Sequence, residues 1–312
     1  MLSVNDKLSD TDAVGIGRKG TIDKPLYLKA PFWTVDTLFY CTSKENSDVK
    51  FIYLLFQIIN WKRYDESTGV PSLSKNTISN IKTYVPKIKE QDYISKLFFS
   101  LDNTLQLHER KCEELALIKQ ALLQKLFPKK DEVIPEVRYK SFSAAWEQRK
   151  LGETSKITAG GDVDKEKLLT HGKYPVIANA LTNDGIVGYY NDAYRITAPA
   201  VTVTGRGEIG KAKSRKINFT PVVRLLSVES KHNVDFLAEA INRSKVVFES
   251  TGVPQLTVPK LSYYKISFPV SENEETKIGD FIQQFDSLIA LHQRKLEKLK
   301  QLKKFLLQNM FI

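Results

Sequence analysis

Residues 274–312 read EETKIGDFIQQFDSLIALHQRKLEKLKQLKKFLLQNMFI, and this stretch decides the fold. Its apolar residues recur mostly at steps of three and four, which is the pattern of one long amphipathic helix with a coiled-coil seam. They are Ile278, Phe281, Phe285, Leu288, Leu296, Leu299, Leu302 and Leu306, with His292 as a polar break in the seam. At about 1.5 Å per residue the helix is on the order of 55 Å long, which is too long for a helix buried in one globular core.

The same helix occurs a second time, in residues 91–127. A shift of 184 residues carries Ile94 to Ile278 and His108 to His292. Further pairs at this shift are Leu101-Asp102 with Phe285-Asp286, Arg110-Lys111 with Arg294-Lys295, Leu115 with Leu299, Lys119 with Lys303, Gln124 with Gln308 and Phe127 with Phe311. The chain therefore contains an internal duplication, and the spacing of the two copies sets its architecture.

The duplication extends beyond the helices. The sequence STGVP occurs at residues 67–71 and again at 250–254, a shift of 183 that also carries Leu73 to Leu256. The pair Gly17-Arg18 returns as Gly205-Arg206 at a shift of 188. Under that shift residue 1 falls opposite position 189, whereas the second block begins near residue 146. The first copy is therefore predicted to be incomplete.

Shorter elements follow from local patterns. In the first block we predict a strand at residues 31–40, a helix at 49–61 and a strand-like segment at 83–86. The buried face of that helix is expected to consist of Phe51, Leu54, Leu55 and Ile58. In the second block, β-branched runs separated by turn residues predict a curled or barrel-like sheet. These runs lie at residues 176–177, 186–187, 196–197 and 201–204, and a short helix follows at 235–243.

These elements predict an α+β fold, with duplicated β-rich domains, the first one incomplete, separated by two long helices that each carry a coiled-coil seam. The predicted boundaries are 1–89 for the incomplete first domain, 90–128 for the first long helix, 129–145 for a linker, 146–272 for the complete second domain and 273–312 for the second long helix. The linker is rich in proline and charge, which ends the helix before it.

Composition limits the function classes. The formal net charge of +11 favours a polyanionic partner such as nucleic acid. No apolar run approaches the roughly 18 residues of a membrane span, so no membrane partner is expected. The two cysteines, Cys41 and Cys112, occupy unrelated positions, which indicates free thiols in a reducing cytoplasm.

Residues 205–212 approach the phosphate-binding pattern GxxxxGK[ST]. The last position, however, is Ala212, which has no hydroxyl to ligate Mg²⁺, and residues 213–219 do not resemble a helix. A nucleotide-using enzyme built on this loop is one alternative for the function.

DNA contact suits the same loop better. Glycines allow the backbone to approach a ligand closely, and arginine can pair with guanine O6 and N7. The candidate residues are Gly205, Arg206, Gly207, Lys211, Lys213, Arg215 and Lys216, together with Arg18 and Lys19 in the first copy. A solvated hairpin tip is the structural alternative, but recurrence of the Gly-Arg pair favours DNA.

Three further residues could read or contact bases. Gln255, after the second STGVP turn, could bind an adenine edge, while Tyr190 and Asn191 are weaker candidates. A structural turn around a satisfied glutamine remains open. His108 and His292 are expected to set the helix register or to face a partner helix rather than to bind metal.

The combination of these features resembles the specificity subunit of type I restriction-modification systems. The features are a β-rich domain with a Gly-Arg loop, the STGVPQL turn at residues 250–256 and the long helix that begins EETKIGDFIQQF at residue 274, with turn and helix both repeated. Catalytic signatures such as HExxH, CxxC, GxSxG or a methyltransferase-type Asn-Pro-Pro-aromatic motif are missing from the sequence.

The resemblance implies that two target-recognition domains bind the two halves of a bipartite DNA site. It also implies that the two long helices pack as an antiparallel coiled coil and act as the spacer, so each added turn changes the separation by about 5.4 Å. Methyltransferase subunits and restriction/translocase subunits are the implied protein partners, and self-association through the helices is left open. The resemblance also implies a subunit that is not an enzyme and carries no cofactor, not even S-adenosylmethionine.

Two departures from this reading stay open. The incomplete first copy suggests a truncated or rearranged subunit, such as a silent recombination cassette. A coiled-coil scaffold without DNA reading is the other alternative.

Overall fold

The computed structural model describes residues 6–180, 182–244 and 254–311. The chain forms two compact units. The first comprises residues 1–112 and 291–312, and the second comprises residues 113–290. Each unit therefore contains a portion of both long helices that the repeat predicts.

The first unit is built on a three-stranded antiparallel sheet. Its elements are β1 (Ala13–Gly17), β2 (Leu26–Leu28), β3 (Leu38–Cys41), α1 (Val49–Ile58), α2 (Lys75–Asn80) and the first part of α3 (Ile88–Leu126). The strand order is β2-β1-β3. The Asp48 carboxylate caps α1 by accepting the N–H groups of Lys50 and Phe51. The buried face of α1 then packs with Ile94 and Phe98 of α3, which anchors the long helix to this unit.

The described residues of the second unit form three sheets. Its elements are β4 (Glu147–Lys150), α4 (Leu151–Thr154), β5 (Ser155–Ala159), β6 (Tyr174–Ile177), β7 (Ile186–Tyr190), β8 (Ala200–Thr204), β9 (Ala212–Arg215), β10 (Thr220–Pro221), β11 (Leu225–Ser230), α5 (Val234–Arg243), α6 (Val258–Ser262), β12 (Lys265–Phe268) and the start of α7 (Glu272–Asn309). The sheets have the orders β5-β11-β8-β9, β10-β6-β7 and β12-β4. Within the described residues the strands thus form separate sheets instead of the one curled or barrel-like sheet predicted from the sequence.

Within each unit the two long helices pair antiparallel, as predicted. In the first unit Lys303 Nζ lies 2.6 Å from Asp102 Oδ1, and Lys300 Nζ lies 2.8 Å from Glu109 Oε1, so partner numbers fall as residue numbers rise. In the second unit Lys119 Nζ lies 2.6 Å from Asp286 Oδ1. Oppositely charged partners of this kind specify helix register.

The sheets fix the register of the duplication. Val14 pairs with Tyr27 and Cys41, and Val201 pairs with Ser214 and Val228, so every partner recurs at a shift of 187. The shift of 188 inferred from the Gly-Arg pair is therefore wrong by one residue. Arg18, not Gly17, is the counterpart of Gly205. No strand among the described residues of the first unit is the counterpart of β5.

Several local predictions are wrong. A run of β-branched or aromatic residues forms a strand only where another strand pairs with it, and the run itself does not provide that strand. Of residues 31–40 only the last three belong to a strand, β3, and residues 83–86 form none; Tyr84 there is 91% exposed. The run at 196–197 makes only an isolated bridge from Ile196 to Phe219. The helix α1 ends at Ile58 instead of residue 61, and Ile58, which was expected on its buried face, is 39% exposed. Within the part of the chain that the structure describes, no helix is long and apolar enough to cross a bilayer.

Candidate nucleic-acid interface

The glycine-rich loop is the tip of a hairpin between β8 and β9. Thr204 closes it: its backbone N–H donates to Lys211 O at 3.0 Å, and its hydroxyl oxygen accepts the Lys211 N–H at 2.9 Å. Gly207 and Gly210 have φ of 75° and 81°, a backbone region that favours glycine. A phosphate-binding loop must lead from a strand into a helix. This loop leads into the antiparallel strand β9, so the nucleotide-binding alternative is wrong.

Three segments of backbone meet at Gly205. Its N–H donates to Asn179 Oδ1 at 2.8 Å, and its carbonyl accepts the Leu256 N–H at 2.9 Å. A Cβ atom at Gly205 would lie 2.2 Å from Arg224 O, so only glycine allows this approach. The hairpin tip, the turn before β11 and the segment that follows the second STGVP sequence are therefore held together at one point.

Beside this backbone contact, the side chains of Arg224 and Gln255 bind each other. The Arg224 guanidinium donates through Nη1 to the amide oxygen of Gln255. Both residues are partly exposed. The site thus combines the predicted Gln255 with an arginine that the sequence analysis did not select.

The predicted cations of the loop fall into two groups. Arg206 and Lys211 are exposed, and among the described residues neither forms an ion pair. In contrast, Lys213 and Arg215 both pair with Asp184, and Lys216 Nζ lies 2.8 Å from Asp235 Oδ2.

Arg215 is held most firmly. Its Nη1 lies 2.8 Å from Asp184 Oδ2, and its Nε donates to Thr202 Oγ1 at 3.0 Å. Burial lowers the pKa of the Arg215 guanidinium from its usual value, and the Asp184 carboxylate opposes that shift. Carboxylates therefore neutralise part of the basic cluster that the sequence predicts. Among the described residues, Arg206 and Lys211 are the exposed members of this cluster that form no ion pair.

The equivalent loop of the first unit has the same framework. Leu73 N–H donates to Arg18 O at 2.9 Å, as Leu256 does to Gly205. Gly20, with φ of 87°, is the counterpart of Gly207 at the shift of 187. The exposed cation before that glycine is therefore Lys19 in this unit, as Arg206 is in the second. The Arg18 guanidinium lies over the Phe39 ring, 5.9 Å from its centroid.

Comparison with known proteins decides the family. The profile of the type I restriction modification DNA specificity domain matches residues 2–117 and 144–301, which is most of the chain. The chain belongs to this family. The two matched regions correspond to the two copies of the duplication.

This specificity-domain protein is also similar to individual type I specificity subunits. It is 27% identical over 216 residues to a Mycoplasma pneumoniae protein assigned as a type I specificity subunit, covering 66% of this chain and 55% of the relative. It is 24% identical over 282 residues to the specificity subunit of the type I restriction enzyme MjaVIII of Methanocaldococcus jannaschii, covering 78% and 64% of the two chains. The chain spans about half the length of the Mycoplasma pneumoniae relatives it matches, which are covered to 55% and 49%.

A solved structure shares the fold. The crystal structure of the S subunit of the type I restriction-modification system from M. genitalium superposes with a TM-score of 0.77 at 16% identity, over 99% of this chain and 85% of that one. A second match is a structure described as showing complex assembly and conformational transition of the type I system, with a TM-score of 0.52 at 14% identity, over 97% and 82% of the two chains.

The remaining predicted contact residues, Tyr190 and Asn191, bind other parts of the protein. Tyr190 belongs to β7 in the three-stranded sheet, where its hydroxyl donates to Asp164 O at 3.0 Å. The Asn191 side-chain oxygen accepts the Lys173 N–H at 3.1 Å. Both side chains therefore hold neighbouring loops in place. Of the second STGVP turn, residues 250–253 lie outside the described part of the chain.

Arg224 and Asn179 were missed because no local signal marks them. Each is a single polar residue between strands, and each joins the site through contacts with residues 19 to 44 positions away. Among the residues that the structure describes, no group of three or more His, Cys, Asp or Glu side chains is placed to hold a metal ion.

Proposed function

We propose that this chain is the DNA-reading subunit of a type I restriction-modification complex and that it catalyses no reaction itself. The observation that carries the proposal is the hairpin tip, where Arg206 and Lys211 are exposed without a neutralising carboxylate among the described residues. Family membership and the net charge of +11 support the same reading. Lysine and arginine at such a tip can contact phosphates, while arginine can also pair with guanine.

The chain acts in the cytoplasm with protein partners, in this proposal. Methyltransferase subunits dock on the specificity subunit, and restriction/translocase subunits join that complex, so the chain directs both to its DNA site. The named relatives support this proposal because they are specificity subunits of type I systems. The framework common to Gly205 and Arg18 supports one DNA-facing loop in each unit.

Binding to randomised duplexes tests the proposal. We expect the chain, purified with its methyltransferase partner, to select a bipartite consensus and to bind more weakly as salt rises. Arg206→Ala should weaken cognate binding by about 1–3 kcal/mol and relax one base position. Arg149→Ala is the matched control, because Arg149 is also exposed but already pairs with Glu147 at 2.5 Å.

One result would contradict the proposal: binding without a salt slope or a consensus would favour a coiled-coil scaffold instead. Equal loss on cognate and random DNA for Arg206→Ala would contradict only the base-reading role of Arg206 and make that residue a phosphate contact.

A further inference from the structure

We propose that Arg224 reads a guanine in the half-site of the second unit and that Gln255 positions its guanidinium. This inference rests on the proposed function of DNA reading. It adds a residue to the site and changes the role predicted for Gln255 from reading adenine to holding an arginine.

Position is the first reason. Arg224 O touches Gly205, the residue directly before Arg206, and Gln255 directly precedes Leu256, whose N–H donates to Gly205. The side chains of Arg206, Arg224 and Gln255 therefore start from neighbouring points of the backbone. A ligand that contacts the hairpin tip meets all three segments.

The backbone of Arg224 is the second reason. Its φ of 74° lies in the left-handed region, where residues with a long side chain are uncommon. Glycine or asparagine would occupy this turn more easily. An arginine at such a position indicates that the side chain itself serves a purpose that a turn residue would not.

The chemistry of the partner is the third reason. Gln255 is neutral, so its amide oxygen orients the guanidinium and leaves the positive charge in place, unlike the Asp184 carboxylate beside Arg215. Among the described residues this is the only side-chain hydrogen bond of Arg224. A guanidinium has five N–H donors, so enough remain for the two acceptors of guanine, O6 and N7.

The same hydrogen bond commits one of the two lone pairs of the Gln255 amide oxygen to Arg224. Reading adenine requires the amide to accept one hydrogen bond and to donate another. In the structure the Gln255 oxygen already accepts from Arg224. Gln255 is accordingly a positioning residue that acts through Arg224.

In the first unit the equivalent backbone hydrogen bond forms without an arginine–glutamine pair. At the repeat shifts of 187 and 183, Thr37 stands in place of Arg224 and Ser72 in place of Gln255. The backbone bond from Leu73 to Arg18 is nevertheless formed, as is that from Leu256 to Gly205. The pair therefore serves something that differs between the units, and under the proposed function the base sequence is what differs.

The experiment uses the full chain with its methyltransferase partner and duplexes randomised across the site. Arg224→Gly is the main variant, because glycine suits the positive φ and keeps the turn. We expect it to weaken cognate binding by about 5- to 150-fold and to relax one guanine position, with the rest of the consensus retained. Arg224→Thr, which installs the residue of the first unit, should do the same.

Variants of Gln255 test the positioning role. Gln255→Ser should weaken preference at the same guanine by less than Arg224→Gly does. The double variant should be no weaker than Arg224→Gly alone, because Gln255 acts only through the arginine. Gln255→Glu should also reduce the guanine preference, since a carboxylate would neutralise the guanidinium.

Three results would overturn the inference. An unchanged consensus for Arg224→Gly would remove Arg224 from base reading. Equal loss on cognate and random duplexes would make it a phosphate contact. Additive losses for Arg224→Gly and Gln255→Ser would show independent contacts. If the unaltered chain selected no consensus, the proposed function would fail together with the inference, whereas a consensus that survives Arg224→Gly overturns the inference alone.

Discussion

His108 Nδ1 lies 2.8 Å from His292 Nδ1 in the seam between the two long helices of the first unit. The two residues are 184 positions apart, so they occupy the same place in the repeated helix. A hydrogen bond between these nitrogens requires one to donate and the other to accept, which two doubly protonated imidazoles cannot do. The histidines are therefore partners of one another across the helix pair, which confirms the role expected from their seam positions.

This pair should make the first unit sensitive to acid. Loss of solvent at its half-buried position lowers the pKa of His292, and His108, Lys295 and Lys111 lower it further. The folded chain then binds fewer protons than the unfolded chain, so stability is full above a pH of about 6.5 and falls as the pH drops below it. We expect His292→Asn to show a smaller decrease in unfolding midpoint between pH 8 and pH 5 than the unaltered chain.

The control for that measurement is His171→Asn, which changes an exposed histidine of the second unit. It should follow the unaltered chain at both pH values. Identical pH slopes for His292→Asn and the unaltered chain would mean that the histidine pair does not control acid stability.

A repeated ion pair should specify the helix register. Asp102 pairs with Lys303 in the first unit, and their repeat counterparts, Asp286 and Lys119, pair in the second. The lysine side chains are only 19–20% exposed, so we expect Asp102→Lys to cost about 1 kcal/mol of unfolding free energy. Exchanging both charges, as Asp102→Lys with Lys303→Asp, should restore most of it in chemical denaturation.

The same exchange at the exposed pair of Asp92 and Lys96, one turn apart on α3, is the matched control. Its effect should stay within about 0.5 kcal/mol. If the exchanged Asp102 and Lys303 pair were as unstable as the single variant, an effect other than the ion pair would fix the register.

A buried ion pair should be the most sensitive polar contact of the second unit. Arg138 donates through Nε and Nη2 to the Glu274 carboxylate at 2.6 and 2.7 Å, and Glu274 is 1% exposed. Removing one partner leaves a buried charge without compensation, so Arg138→Met should cost about 3–5 kcal/mol. Arg138→Met with Glu274→Leu should recover much of that loss in denaturant titrations, and a double variant as unstable as the single one would refute this explanation.

Gly279 should be intolerant of alanine although it lies within α7. A Cβ atom there would lie 2.2 Å from Asn233 Oδ1, the oxygen that caps α5 by accepting the N–H groups of Asp235 and Phe236. Helix propensity favours alanine by about 1 kcal/mol, but the clash and the lost cap oppose it. We expect a net loss of about 1–3 kcal/mol for Gly279→Ala, measured by thermal unfolding.

The background Asn233→Gly tests the cause of that loss. Glycine is itself a fair N-cap residue and costs only a few tenths of a kcal/mol there. Without the asparagine side chain the clash disappears, so Gly279→Ala should then be neutral or stabilising. A loss of the same size on both backgrounds would contradict the proposed clash.

The site was predictable only in part. Arg206, Lys211 and Gln255 could be selected because a glycine-rich basic loop and a recurring turn are visible in a short window of sequence. Lys213 and Arg215 belonged to the same window, yet the fold places Asp184 beside both. Arg224 could not be selected, because its contact with Gln255 joins residues 31 positions apart in the chain.

The duplication and the two long helices could be predicted from the amino-acid sequence alone, because helical periodicity and repetition are visible in the order of residues along the chain. The antiparallel pairing of the helices was expected only from the family resemblance. Only the tertiary structure decided the shift of 187 between the copies, since hydrogen bonding between strands sets the register. It also decided which basic residues keep their charge exposed and which arginine meets Gln255. Those outcomes depend on distances between residues remote in the chain, and no local pattern encodes them.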